Sequence, residues 1–213
     1  VVDLADNIPE VVGAIDIVFW PVAIDFKKKD IEEMQDGSIT ASFINGAIRT
    51  SEQEEMALLL RKKSRFVIAF GSCAYSGGIP SLANQFEKEE IIEYVYKKAP
   101  SVTNDKGTEP LPESHTEEGY KIEIPVFRNH VRTLDEVVDV DYYVPGCPPT
   151  TNIILSAIDA LLKNQLPQKG SVLAPDVSLC DECPRKDSKP ENLSISEFKR
   201  LSKHTPDPEK CLL

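Results

Sequence analysis

Apolar positions recur with two different periods along this chain, and the switching between them predicts its elements. Leu4, Ile8, Val11 and Val12 fall at helical spacing, so an amphipathic helix opens the sequence. Residues 15–20 (IDIVFW) read as a buried strand closed by Pro21. The charged run at 27–33 (KKKDIEE) reads as a solvated face. Residues 39–48 (ITASFINGAI) predict a second strand with a glycine at its exit. Thr50 or Ser51 can cap the following helix, whose inner face is Met56, Leu59 and Leu60. A third strand is expected at 66–70 (FVIAF), stopping in the glycine-rich loop GSCAYSGG. A helix is expected over 87–98 and a further strand over 137–144. Residues 100–120, rich in Pro, Glu, Ser and Thr, read as an exposed insertion. Ile153, Ile154, Ala157, Ile158, Leu161 and Leu162 mark a strongly amphipathic helix started by Thr150 or Thr151.

Strands alternating with helices indicate an α/β domain with a mostly parallel sheet. In such sheets the functional loops lie beyond the carboxyl ends of the strands. Cys73 and Cys147 each occupy such a loop, one after FVIAF and one after VDYYV, which can bring two distant thiols to one side of the sheet. From residue 166 the texture changes to few aliphatic runs, many prolines and lysines, and a local Cys180-x-x-Cys183 pair. Such a segment builds little core alone, and a bound metal or cluster is the usual way it becomes ordered. The expected organisation is one α/β domain over 1–165 and a small irregular domain over 166–213.

The totals narrow the function classes. A net charge of −11 argues against a nucleic-acid surface, which needs clustered Lys and Arg. Nothing approaches about eighteen consecutive apolar residues, so no transmembrane helix is expected. The five cysteines are Cys73, Cys147, Cys180, Cys183 and Cys211. An odd number in a chain too large to need disulfide staples points to ligation or redox chemistry in a reducing compartment.

A lone buried cysteine is usually a small hydrophobe. Around Cys73, however, Gly71, Gly77 and Gly78 allow sharp turns and close approach to a bulky group. Gly146, Pro148 and Pro149 present Cys147 on a stiff bend that lacks two amide donors. The loop holding Ser72 lacks the lysine of a phosphate-binding loop, the G-x-G-x-x-G spacing and the G-x-S-x-G context of a serine nucleophile. The Cys180-x-x-Cys183 pair fits zinc, an iron–sulfur cluster or a dithiol couple. Closing a zinc site with Cys211 would call on His204.

Three segments together, FGSCAYSGGIPSLAN, VRTLDEVVDVDYYVPGCPP and LCDECPRK…PDPEKCLL, resemble the small subunit of nickel–iron hydrogenases. The resemblance is to the methyl-viologen-reducing, coenzyme F420-non-reducing type associated with heterodisulfide reductase, and it covers nearly the whole chain. It implies a flavodoxin-like domain followed by an iron–sulfur domain, in a cytoplasmic complex whose large subunit carries the nickel–iron site. It also implies 4Fe-4S clusters. Cys73 and Cys147 would be two ligands of a proximal cluster, the other two lying on a C-x-x-C loop before Val1. Cys180, Cys183 and Cys211 would be ligands of a distal cluster, completed beyond Leu213. The G-C-P-P element alone is shared with the quinone-side iron–sulfur subunit of respiratory complex I. That reading, and a zinc-binding scaffold, are the alternatives.

Overall fold

In this computed structural model the described residues are 6–23, 25–192, 200, 202, 205 and 207–211. Leu4 of the expected first helix and His204 of the alternative zinc site lie outside them. The chain divides into two compact units, Val1–Ala174 and Pro175–Leu213.

The first unit is built on a three-stranded parallel sheet formed, in spatial order, by β1 (Ile39–Asn45), β3 (Ser64–Phe70) and β7 (Tyr142–Val144). Between them in the chain lie β2 (Ile48–Thr50), which pairs antiparallel with β6 (Phe127–Arg132), and the ribbon of β4 (Glu113–His115) with β5 (Lys121–Glu123). The central strand β3 is the most apolar, and Val67, Ile68 and Ala69 are fully buried. That is what a parallel strand covered on both faces requires. One face packs Val67 and Ala69 against Ile48, Ala57, Leu134 and Val138. The other packs Ile68 with Tyr142, Val144 and Ala157, joined by Leu166 and Leu173.

The helices are α1 (Ile8–Ala14), α2 (Lys28–Glu32), α3 (Ser51–Lys63), α4 (Ser72–Ser76), α5 (Lys88–Glu93), α6 (Thr151–Leu162) and α7 (Leu179–Glu182). Thr50 caps α3: its hydroxyl accepts from the Gln53 amide at 3.3 Å, and the Gln53 side chain accepts from the Thr50 amide at 2.9 Å. This reciprocal arrangement satisfies donors a helix start leaves open. Thr150 occupies the N-cap position of α6.

Four elements differ from the sequence expectation, each for a physical reason. Residues 15–20, expected as a buried strand, are half-buried or exposed and join no ladder among the described residues, because an apolar run states a demand for burial and not a partner. The run 39–48 breaks at Gly46 (φ +95) into β1 and β2, which belong to different sheets. The charged run 27–33 holds the short helix α2, anchored by Ile31, which is fully buried. The expected strand at 137–144 shrinks to β7, since Val137 and Val138 turn back to donate to the Leu134 carbonyl. The helix over 87–98 is present, its last turn widened into a π turn over Tyr94–Lys98.

Candidate functional site: two cysteine-bearing regions

Phe70 and Val144 are register partners on the parallel neighbours β3 and β7, so both chains leave the sheet at the same rim. Each reaches its cysteine three residues later, at Cys73 and Cys147. Two hydrogen bonds carry the strand contact past the last ladder pair: the Gly71 amide donates to the Val144 carbonyl and the Ser72 amide to the Gly146 carbonyl, both at 2.7 Å. The two loops are thereby stitched together. Asn45 ends β1 opposite Phe70, completing the rim, and its side-chain nitrogen would lie 4.0 Å from a Cβ placed on Gly71.

Glycine is required at particular points here. The chain enters α4 through Gly71 (φ +84) and leaves it through Gly77 in the left-handed region. A Cβ on Gly78 would lie 3.1 Å from the Cys73 sulfur and 3.2 Å from its Cα, so the glycine keeps the space beside the thiol. On the other loop, a Cβ on Gly146 (φ +131) would meet the Pro149 Cα at 2.4 Å, which no side chain can do. Pro149 is fully buried and pins the bend to the core, while Pro148, in a cis bond with Cys147, stays exposed. Cys147 is exposed and Cys73 half-buried. The α4 turn is also held from below, since the Leu134 amide donates to the Ala74 carbonyl at 2.9 Å and Leu134 is fully buried.

The second unit carries the other three cysteines. The Ser178 side chain caps α7, accepting from the Asp181 amide at 3.3 Å. Cys180 lies within that single turn, and the Cys183 amide donates to the Cys180 carbonyl at 3.3 Å. The backbone amide of Arg185, and next its guanidinium, stabilise the Cys183 thiolate and hold the thiol below its ordinary pKa. Ser188 ends a short 3-10 turn, Lys186–Ser188, and its hydroxyl accepts from the Cys211 amide at 2.6 Å. Cys211 is thus brought back to the segment that follows the pair.

Among the described residues, no three His, Cys, Asp or Glu side chains surround one metal position. The donor chemistry nonetheless fits an iron–sulfur group. In the first unit Cys73 and Cys147 stand on backbone that only glycine can form, with space a Cβ would fill beside Cys73; in the second unit the Cys183 thiol is poised toward the thiolate. The residues that the sequence singles out around the first two thiols, Cys73, Cys147, Gly71, Ser72, Gly77, Gly78, Gly146 and Pro148, all lie on the rim of the sheet. Sequence reasoning misses Asn45, which only the register of β1 on β3 places at this rim. It also misses Ser188 and Arg185, for which no local pattern speaks.

No helix among the described residues is long and apolar enough to cross a membrane. Residues 1–161 match the family described as NADH ubiquinone oxidoreductase, 20 kDa subunit. The chain is 38% identical over its whole length to the iron–sulfur subunit of the F420-non-reducing hydrogenase of Archaeoglobus profundus, covering 67% of that protein. It is 39% identical to a subunit of the F420-non-reducing hydrogenase of Methanocaldococcus jannaschii, over 99% of this chain and 64% of that one. The chain thus spans about two thirds of the length of these curated relatives. A crystal structure of an NAD+-reducing nickel–iron hydrogenase in the H2-reduced state contains a similar chain, with a TM-score of 0.61 and 25% identity, over 78% of this chain and 85% of that one. A parallel α/β sheet bearing two stitched cysteine loops, with these relatives, makes the chain a member of the NADH ubiquinone oxidoreductase 20 kDa subunit family and a homologue of F420-non-reducing hydrogenase subunits.

Proposed function

We propose that the chain is the electron-transfer subunit of a nickel–iron hydrogenase complex in the cytoplasm. In this reading it conducts electrons between the nickel–iron site of a separate large subunit and an external acceptor, with heterodisulfide reductase as the candidate downstream partner. The observation that carries the reading is the pair of hydrogen bonds joining the Cys73 and Cys147 loops at one rim of the sheet. Bound 4Fe-4S clusters would supply one-electron chemistry, with Cys73 and Cys147 as ligands of one and Cys180, Cys183 and Cys211 as ligands of another.

The contribution of this chain's own residues is geometric and electrostatic. Gly78 lets backbone pass close to the Cys73 sulfur, while Gly71 and Gly77 supply the positive-φ turns at the two ends of α4. Gly146 and the buried Pro149 hold Cys147 on a bend with little room to relax, which suits a ligand whose geometry should change little between redox states. Arg185 favours the anionic form of Cys183, the form that ligates iron.

Iron and acid-labile sulfide analysis of the full gene product, prepared without oxygen, tests the proposal. Iron and sulfide in comparable amounts, lowered by Cys73→Ser and by Cys180→Ser, are expected. Zinc without sulfide would instead support a scaffold. The complex I-type reading is disfavoured because the family match ends at residue 161, whereas the hydrogenase relative matches through the Cys180-x-x-Cys183 and Cys211 tail.

A further inference from the structure

The second cysteine set poses a placement problem. Cys180 and Cys183 share one turn, but Cys211 lies far along the chain from both. A ligand that distant must be returned against chain entropy, a cost that grows with loop length and falls on the metal group if nothing else offsets it.

Ser188 is where the structure returns it. Ser188 already completes its own turn, since its amide donates to the Arg185 carbonyl at 3.1 Å. Its hydroxyl is then used twice, donating to that same carbonyl at 2.8 Å and accepting from the Cys211 amide at 2.6 Å, across 23 positions of sequence. The Arg185 end of this turn follows closely on Cys183, and the Lys186 amide donates to the Cys183 carbonyl at 3.1 Å. One short segment therefore holds the backbone of Cys183 at one end and that of Cys211 at the other.

We propose that Ser188 is the positioning residue of the second cysteine site, tethering the Cys211 backbone to the Cys180–Cys183 segment. This rests on the electron-transfer reading above. The hydroxyl does not touch the metal; it acts through the Cys211 amide. Outer partners of this kind are worth on the order of tenfold in metal retention.

The test uses the full gene product prepared without oxygen, as wild type, Ser188→Ala, Ser188→Thr and Cys211→Ser. Three quantities are read: release of iron to a ferrous chelator, the electron paramagnetic resonance spectrum of the reduced protein, and the thermal unfolding midpoint. Ser188→Ala is expected to release iron from this site on the order of tenfold faster and to alter only that site's signal. Ser188→Thr, which keeps the hydroxyl, should retain the wild-type rate and spectrum. Cys211→Ser marks the limit of complete ligand loss. A wild-type rate and spectrum in Ser188→Ala would overturn the proposal, as would a Ser188→Ala effect seen only in the unfolding midpoint. If wild type and Cys211→Ser carry the same iron and the same spectrum, the second site holds no cluster, and the electron-transfer reading at that site fails rather than the tether alone.

Discussion

Gly78 shows how much chemistry one absent side chain can carry. It sits at φ +50 and ψ −146, a region essentially closed to residues with a Cβ, and it borders the Cys73 sulfur. Gly78→Ala combines backbone strain with a contact at 3.1 Å to the thiol. It is expected to cost about 1–3 kcal/mol of stability, read as a lower urea midpoint, and to lose iron from the rim of the sheet. A variant that keeps both wild-type values would mean that the space beside Cys73 is not needed. The glycines around Cys73 are visible in the sequence because glycine announces backbone freedom by its identity. Ser188 is not, because a hydroxyl that bonds an amide 23 positions away leaves no local trace. Nor does the order of residues show that Asn45 reaches the same rim.

At the scale of elements, the core depends on β3, whose two faces serve different clusters. Ile68, fully buried, belongs to the face shared with Tyr142, Val144 and Ala157. Ile68→Ala empties a fully enclosed position of that layer and should lower the unfolding free energy by about 2–5 kcal/mol, measured by urea denaturation. A smaller loss would show that the layer collapses around the gap. In α3 the buried positions are Ala57 and Lys63, while the expected inner face of Met56, Leu59 and Leu60 is half-buried. Helices α3 and α6 are legible from their N-cap threonines, Thr50 and Thr150, and α6 from its 3.6-residue period as well. Strand pairing is not. The apolar run at residues 15–20 reads as a buried strand, but a ladder also needs an edge to receive it. The break at Gly46 sends β1 and β2 to different sheets, and only the register of distant partners reveals it.

For the molecule as a whole, Asp141 ties together parts that the chain visits at separate times. Its buried carboxylate accepts from Arg61 on α3 at 2.6 Å, from the Val67 amide of β3 at 2.8 Å, and from Lys169. Burial alone would raise its pKa, but the donors Lys169, Arg61 and the Val67 amide outweigh it and hold the carboxyl below its ordinary value. Because the folded pKa lies below the unfolded one, the resulting stabilisation is fully present above the unfolded carboxylate value. It is lost as the pH falls through the folded value. Asp141→Asn should therefore cost about 1–3 kcal/mol near neutral pH and lose less than wild type on acidification. Parallel curves of urea midpoint against pH for the two proteins would contradict this. The mixed α/β fold and the two cysteine groups are readable from the sequence, since periodicity and residue type encode them. The Asp141 cluster is not, because its three donors are remote in the chain and each is an ordinary residue in its own setting.

The two bonds that stitch the rim also govern how it can move. Gly71 and Ser72 grip the β7 exit beyond the last ladder pair, so the Cys73 and Cys147 loops cannot drift apart without first breaking contacts that belong to neither cysteine. A displacement of either strand exit therefore reaches the other loop through backbone hydrogen bonds alone, whatever the two side chains do.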